Sequence, residues 1–205
     1  MKGVIDISFL KENSYSSVKI FLTQIVMSFF GTMLAIATLA NESLLLWSSI
    51  FSVVFQMAII YSICWDIGAH DKIKIDGHRM RPAPSKGFLI ALIANIPNLL
   101  LAVLMGLGVL IDTAGAQVMS LVCNAIARLI NGSFLGIIKT LETPLGDSGI
   151  MKYIWWWFIV MTIPSIVVSG ISYLMGSNNI RILPQKRKAD QIAHPNISDH
   201  DLKKK

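Results

Sequence analysis

Four stretches of this 205-residue chain run for twenty or more residues without a charged side chain: Ile20–Ala40, Leu44–Trp65, Gly87–Ile111 and Tyr153–Met175. An α-helix needs about 20 mostly apolar residues to cross the ~30 Å hydrocarbon layer of a bilayer, and each stretch meets that length. Inside lipid every backbone polar group must find its partner within the chain, so such segments are helices. Only 15% of the residues are charged and 54% are hydrophobic. A soluble domain carries about 25% charged residues, with its apolar ones spread at period two or 3.6. A soluble globular enzyme, a disordered chain and a nucleic-acid module are therefore excluded, despite a net charge of +6. The expected fold class is an all-α integral membrane protein with four transmembrane helices.

The basic residues set the orientation. Three lie in Met1–Lys19, five in Asp66–Lys86 and seven after Met175, which places fifteen of the eighteen on one side if there are four crossings. By the positive-inside rule that side is the cytoplasm, so both termini are expected there, in a multi-pass protein of the cell membrane. Five crossings would export the seven-charge tail. The expected organisation is a cytoplasmic N-terminal segment over 1–19, a membrane domain over 20–177 and a basic, disordered tail over 178–205. The tail is expected to lie near anionic lipid at the cytoplasmic face, with salt-sensitive binding to vesicles as its mark. The first span is expected to be retained, because a signal peptide has a shorter apolar core than Ile20–Ala40. Cys64 and Cys123 fall at opposite ends of the membrane and cannot pair within one chain.

A fifth apolar segment, Ala116–Ile138, carries Arg128 at its middle. Gln117, Ser120, Asn124, Arg128 and Asn131 recur at helical spacing, with apolar residues between them. This predicts an amphipathic helix over about 116–131, ending near Asn131-Gly132. It either lies in the outer headgroup layer, the reading favoured because no span holds an acid to neutralise Arg128, or dips inward as a re-entrant element. The stretch Thr143–Gly149 reads as a turn-rich loop.

Each span also carries a stripe of small, hydroxyl or amide residues. Gln24, Ser28 and Gly31 or Thr32 mark the first; Ser49, Ser52 and Gln56 the second; Asn95 and Asn98, flanking Pro97, the third; Thr162, Ser165, Ser169 and Ser172 the fourth. Small residues let helices approach closely, and buried amides bond across the interface. Packing is the plainer reading. The sharper one is a polar cavity near the midplane, with Asn95, Asn98, Asn124 and Arg128 as its candidate lining, since a proline frees backbone carbonyls.

On the cytoplasmic side, Lys72-Ile73-Lys74-Ile75 alternates ahead of Asp76-Gly77, which predicts a short β-hairpin with a tight turn. Asp66, Asp71, Lys72, Lys74, Arg79 and Arg81 are its candidate partner contacts. Asp66, His70, Asp71, Asp76 and His78 are too loosely spaced for a convincing metal set. Asp76-Gly77 with Arg81 has the start of the CDP-alcohol phosphatidyltransferase motif, but Ile90, Ala94 and Asn98 stand where its metal ligands would be. No nucleophile–base pair is visible, and neither catalysis nor a cofactor is expected.

The pattern Trp65-Asp66-x-Gly68-x-x-Asp71, a short basic segment, then Lys86-Gly87 opening a span that contains Pro97, resembles small multi-spanning membrane proteins of low-GC Gram-positive bacteria. The likeness covers about residues 60–100. It implies a bacterial cell-membrane location and assigns no activity or functional residue. Two functions are compatible with these residues. One is a non-catalytic membrane subunit docked on a membrane partner. The other is a small-solute transporter or channel working as a homo-oligomer. No nucleic-acid partner is expected.

Overall fold

The computed structural model describes residues 7–111, 113–142 and 150–180, with side-chain environments from residue 13 onward in the first helix and from 155 onward in the last. The expected loop over 143–149 and residues 181–205 of the disordered tail expected over 178–205 lie outside the described residues, while 178–180 are hydrogen-bonded to the end of the last helix. The elements are α1 (Ile7–Thr38), α2 (Glu42–Asp76), α3 (Lys86–Ala94), α4 (Ile96–Leu110), α5 (Ala114–Ile130), a 3-10 turn (Gly132–Phe134), α6 (Leu135–Glu142) and α7 (Ile150–Ser177). No strand occurs among the described residues.

Three helices are long and apolar enough to cross a membrane: α1 from Asn13 to Ala37, α2, and α7 from Trp155. Two bent pairs reach that length only together. The α3–α4 pair is bent by 52° and the pair formed by α5 and the turn with α6 by 86°. The chain is thus an all-helical membrane protein with three to five candidate crossings.

Local chemistry explains the joints. Asn41 caps α2 by accepting from the backbone N–H groups of Ser43 and Leu44, so α1 and α2 turn on three residues. Between α3 and α4, Asn95 leaves helical geometry at φ −93°, ψ 0°, and its side chain bonds back to the Ala91 carbonyl at 2.9 Å. Pro97 has no N–H to give the carbonyl four residues earlier, so the ladder breaks here and the span bends.

The β-hairpin expected at Asp76-Gly77 is not formed. Helix α2 instead runs on to Asp76, because the inward stripe Ser52, Gln56, Ile60, Cys64, Gly68, Asp71 keeps a helical spacing past the end of the apolar block. An isolated two-stranded hairpin is marginal in water, whereas the helix extension buries one face against α7. The Ile–Lys alternation carries no weight once no second strand pairs with it. Asp76-Gly77 ends the helix: Arg79 N–H reaches the Lys74 carbonyl at 2.9 Å, His78 N–H reaches Ile75 at 2.9 Å, and His78 takes the left-handed conformation at φ 55°. Helix α7 closes the same way. Ile180 N–H bonds Met175 at 2.9 Å and Asn179 N–H bonds Gly176 at 3.0 Å, with Asn179 at φ 57°.

The interior has two apolar layers. Ile20, Ile60, Cys64, Ile90 and Ala94 fill the one nearer the basic end. Ala102, Met105, Cys123, Ala127, Phe134, Ile138, Phe158 and Met161 fill the other. Along each helix the buried amides and hydroxyls, Gln24 and Ser28, Ser52 and Gln56, Asn95 and Asn98, Ser165, fall between these layers. Helices α2 and α7 touch almost backbone to backbone. A Cβ on Gly68 would collide with the Tyr173 carbonyl and one on Gly176 with the Trp65 carbonyl. The two cysteines are both buried and free.

Candidate functional site: a polar belt, a V-shaped insert and an anchored helix end

The pair α5 and α6 forms a V whose tip, the 3-10 turn, is pushed between α1 and α2. A helix tip inside the bundle exposes backbone donors and acceptors that water cannot reach, and each needs a partner. The hydroxyl stripes supply them. Ser28 Oγ donates to the Leu129 carbonyl and accepts from Gly132 N–H at 2.8 Å. Ser133 Oγ donates to the Met27 carbonyl at 3.0 Å, and Ser49 Oγ accepts from Gly136 N–H at 2.7 Å. The tip can approach because Gly31, Gly132 and Gly136 carry no side chain. A Cβ on Gly31 would collide with the Ser133 backbone, one on Gly132 with the Ser28 carbonyl, and one on Gly136 with the Leu45 carbonyl. Much of the small-residue stripe of α1 and α2 is therefore a socket for this insert.

The V also fixes which face of the amphipathic helix packs on the bundle. Ser120, Cys123 and Ala127 of α5 are buried against α4, and Asn131 is buried at its end, while Val118, Leu121, Val122, Ile126 and Leu129 are exposed. The helix turns its polar side inward and its apolar side outward, as suits lipid surroundings. Arg128 is only partly exposed. Its guanidinium makes a two-pronged ion pair with Glu142 at the end of α6, one bond being Nη1 to Oε2 at 3.3 Å, and its Nε donates to Asn124 at 3.1 Å. Glu142 was invisible as a partner in sequence because it lies in no span and fourteen residues away, across a bend of 86°.

The four expected cavity residues fall into three groups. Asn95 accepts from Gln24 Nε2 at 3.4 Å, and the same nitrogen donates to Ser165 Oγ at 2.7 Å. Asn98 accepts from Asn131 Nδ2 at 3.4 Å, and Asn131 Nδ2 also bonds the Ala127 carbonyl at 2.9 Å. Asn124 and Arg128 belong to the third group, with Glu142. Asn95 and Asn98 are both buried, yet the bend at Pro97 sends them to different partners. Gln24 Oε1 is left without a hydrogen-bond partner among the described residues.

At the basic end, Asp71 departs from its expected role as a surface contact. It is buried, and its carboxylate takes Lys86 Nζ at 2.8 Å and the Tyr173 hydroxyl at 3.0 Å, with Lys74 Nζ farther off at 3.7 Å. One carboxylate thus ties α2, the start of α3 and α7 together. Asp66, Lys74, Arg79 and Arg81 are exposed and Lys72 is half-buried, together with Ile73 at 70% exposure. Helix α2 is 35 residues long, about 52 Å at 1.5 Å per residue, well beyond the ~30 Å hydrocarbon layer. Its last turns form a post held by a buried ion pair.

These features define a polytopic helical membrane protein with a polar belt, an inserted V and a helix end tied by a buried ion pair. Comparison with known protein families, curated proteins and solved structures found no match to the chain.

Arg128→Ala is expected to destabilise the protein by about 1–3 kcal/mol, since it strands the Glu142 carboxylate and the Asn124 amide in a partly buried setting. Thermal unfolding in detergent checks this. Lys139→Ala, at an exposed position of α6, is expected to change stability by less than half as much.

Proposed function

We propose that the chain crosses the membrane four times, with α1, α2, the bent α3–α4 pair and α7 as spans, both termini cytoplasmic and the V re-entrant from the outer side. We further propose that it is a non-catalytic membrane subunit whose cytoplasmic partner docks on the projecting end of α2. The buried Asp71–Lys86 pair carries this reading. Taking two charges out of water is costly, and the tie fixes the direction of a helix end that needs no fixing for membrane insertion alone. Exposed Ile73 beside Lys74, Arg79 and Arg81 supplies the mix of apolar and cationic contact found in protein interfaces. The charges favour a partner with an acidic surface.

The polar belt supports a subunit better than a conduit. Among its described residues Gln24 bonds Asn95 and Ser165, Asn98 bonds Asn131, and Ser28 and Ser49 bond the backbone of the V, while Ser52 Oγ and Ser169 Oγ have no partner. The apolar stretches Ile20–Ala40, Leu44–Trp65, Gly87–Ile111 and Tyr153–Met175 carry no charged residue of the kind ion and proton pathways use. One observation favours the second reading, an oligomeric small-solute transporter. Gln24 Oε1 is unpartnered next to a broken helix, the place where transporters hold their substrates.

Purification of the full chain from its native membrane in mild detergent separates the two. The subunit reading predicts a stoichiometric partner, retained with wild type and lost with the double charge reversal Arg79→Glu, Arg81→Glu at unchanged melting temperature. A homo-oligomer with no partner, whose melting temperature rises with an added solute, would replace it with the transporter.

A further inference from the structure

Helix α1 presents an elongated groove to its surroundings. Tyr15, Val18, Lys19, Leu22, Thr23, Val26 and Met27 line it along one side of the helix, Ile59 of α2 closes the other side, and its volume is about 420 Å³. The lining is graded. Tyr15 and Lys19 sit at the basic end, and from Leu22 onward the side chains are apolar apart from Thr23. The Thr23 hydroxyl is already given to the Lys19 carbonyl at 2.8 Å. From Tyr15 to Met27 the groove runs about 18 Å along the axis, a little more than half of the ~30 Å hydrocarbon layer. Its length is therefore about that of one leaflet, with Lys19 one helical turn in from the end marked by Tyr15.

We propose that this groove is a binding site for an anionic phospholipid of the leaflet on the basic side, its phosphate on Lys19 and Tyr15 and one acyl chain along Val18, Leu22, Val26 and Ile59. Charge decides the occupant. A partner transmembrane helix gains nothing from a lysine at the groove's mouth, whereas an ammonium with no ion pair among the described residues matches a lipid phosphate. Tyr15, at 78% exposure, offers its phenol to the same level, where aromatic side chains meet headgroups. Beyond the charge attraction to anionic lipid expected of the basic tail, this site orders one molecule against a shaped wall. It does not depend on the chain having a protein partner.

The test uses the delipidated full-length protein in neutral detergent, with phosphatidylglycerol or phosphatidylcholine of the same chain length added. Phosphatidylglycerol is expected to raise the melting temperature several degrees more than phosphatidylcholine. Lys19→Gln is expected to remove most of that difference and Lys139→Gln, exposed on α6, to leave it intact. Val26→Trp, which fills the apolar half, is expected to weaken the stabilisation with the headgroup contact still present. Equal stabilisation by the two lipids, an unchanged response in Lys19→Gln, or full reproduction of the effect by inorganic phosphate would each overturn the proposal. An unchanged response in Val26→Trp would overturn it as well, because the acyl chain would then lie elsewhere.

Discussion

Lys86→Met is expected to cost about 3–5 kcal/mol of stability, the largest loss from any single polar substitution among the described residues. The ammonium of Lys86 and the carboxylate of Asp71 are both 4% exposed and 2.8 Å apart. Removing the cation leaves a buried carboxylate with only the Tyr173 hydroxyl and the distant, half-exposed Lys74 to hold it. Breaking a buried pair costs that much because the orphaned charge keeps its desolvation penalty, whereas removing both charges together costs far less. Asp71→Leu with Lys86→Met is therefore expected to be more stable than Lys86→Met alone, a coupling that a double-mutant cycle in detergent unfolding measures directly. Tyr173→Phe, which removes one neutral donor, is expected to cost nearer 1 kcal/mol. If Lys86→Met were as mild as Lys74→Ala, the tie would not be holding α2, α3 and α7.

The second large effect lies at the socket of the V. Gly31→Leu places a side chain where the backbone of Ser133 now sits, and backbone cannot move aside as a flexible side chain can. Overpacking a tight contact typically costs about 1–3 kcal/mol. Here the displaced tip also loses its bonds to Ser28 and to the Met27 carbonyl, so its donors face hydrocarbon unpaired. The expected outcome is a protein that inserts in the membrane but unfolds early and exposes the V to proteolysis. Gly115→Ala is the control, since nothing lies within 4 Å of a Cβ there. It is expected to be neutral or to stabilise by up to ~1 kcal/mol through helix propensity. Equal effects of the two substitutions would remove the socket from the account.

The all-helical membrane class, with three to five candidate crossings, was legible in the sequence because lipid imposes a length and an absence of charge that few other contexts impose. The joint in the third apolar block was legible because Pro97 by itself forces it. Register over distance was not legible. Asp71 and Lys86 read as two loop charges until the continuation of α2 through residues 72–76 brings them together. That continuation was hidden by the Ile73 and Ile75 alternation, which mimics a strand where no partner strand exists. The amphipathic helix was visible in Ser120, Asn124, Arg128 and Asn131, but periodicity does not say which face meets lipid. That depends on Glu142, whose partnership with Arg128 only the bend at Gly132 creates. The amides Asn95 and Asn98 were found together and separated by the break they flank, while Gln24 and Ser165, the partners of Asn95, were present only as members of stripes.

The central claim is that α5, the turn and α6 enter the bundle and return to the side they came from. Sided cysteine labelling tests it, in full-length protein with Cys64 and Cys123 replaced by alanine. An impermeant maleimide is expected to reach Gly115→Cys and Lys139→Cys from the same, outer side. It is expected to reach Arg79→Cys only from the opposite side and to leave Ser133→Cys unmodified from either. Labelling of Lys139→Cys from the Arg79 side would make the segment a fifth crossing, and ready labelling of Ser133→Cys would take the tip out of the membrane altogether.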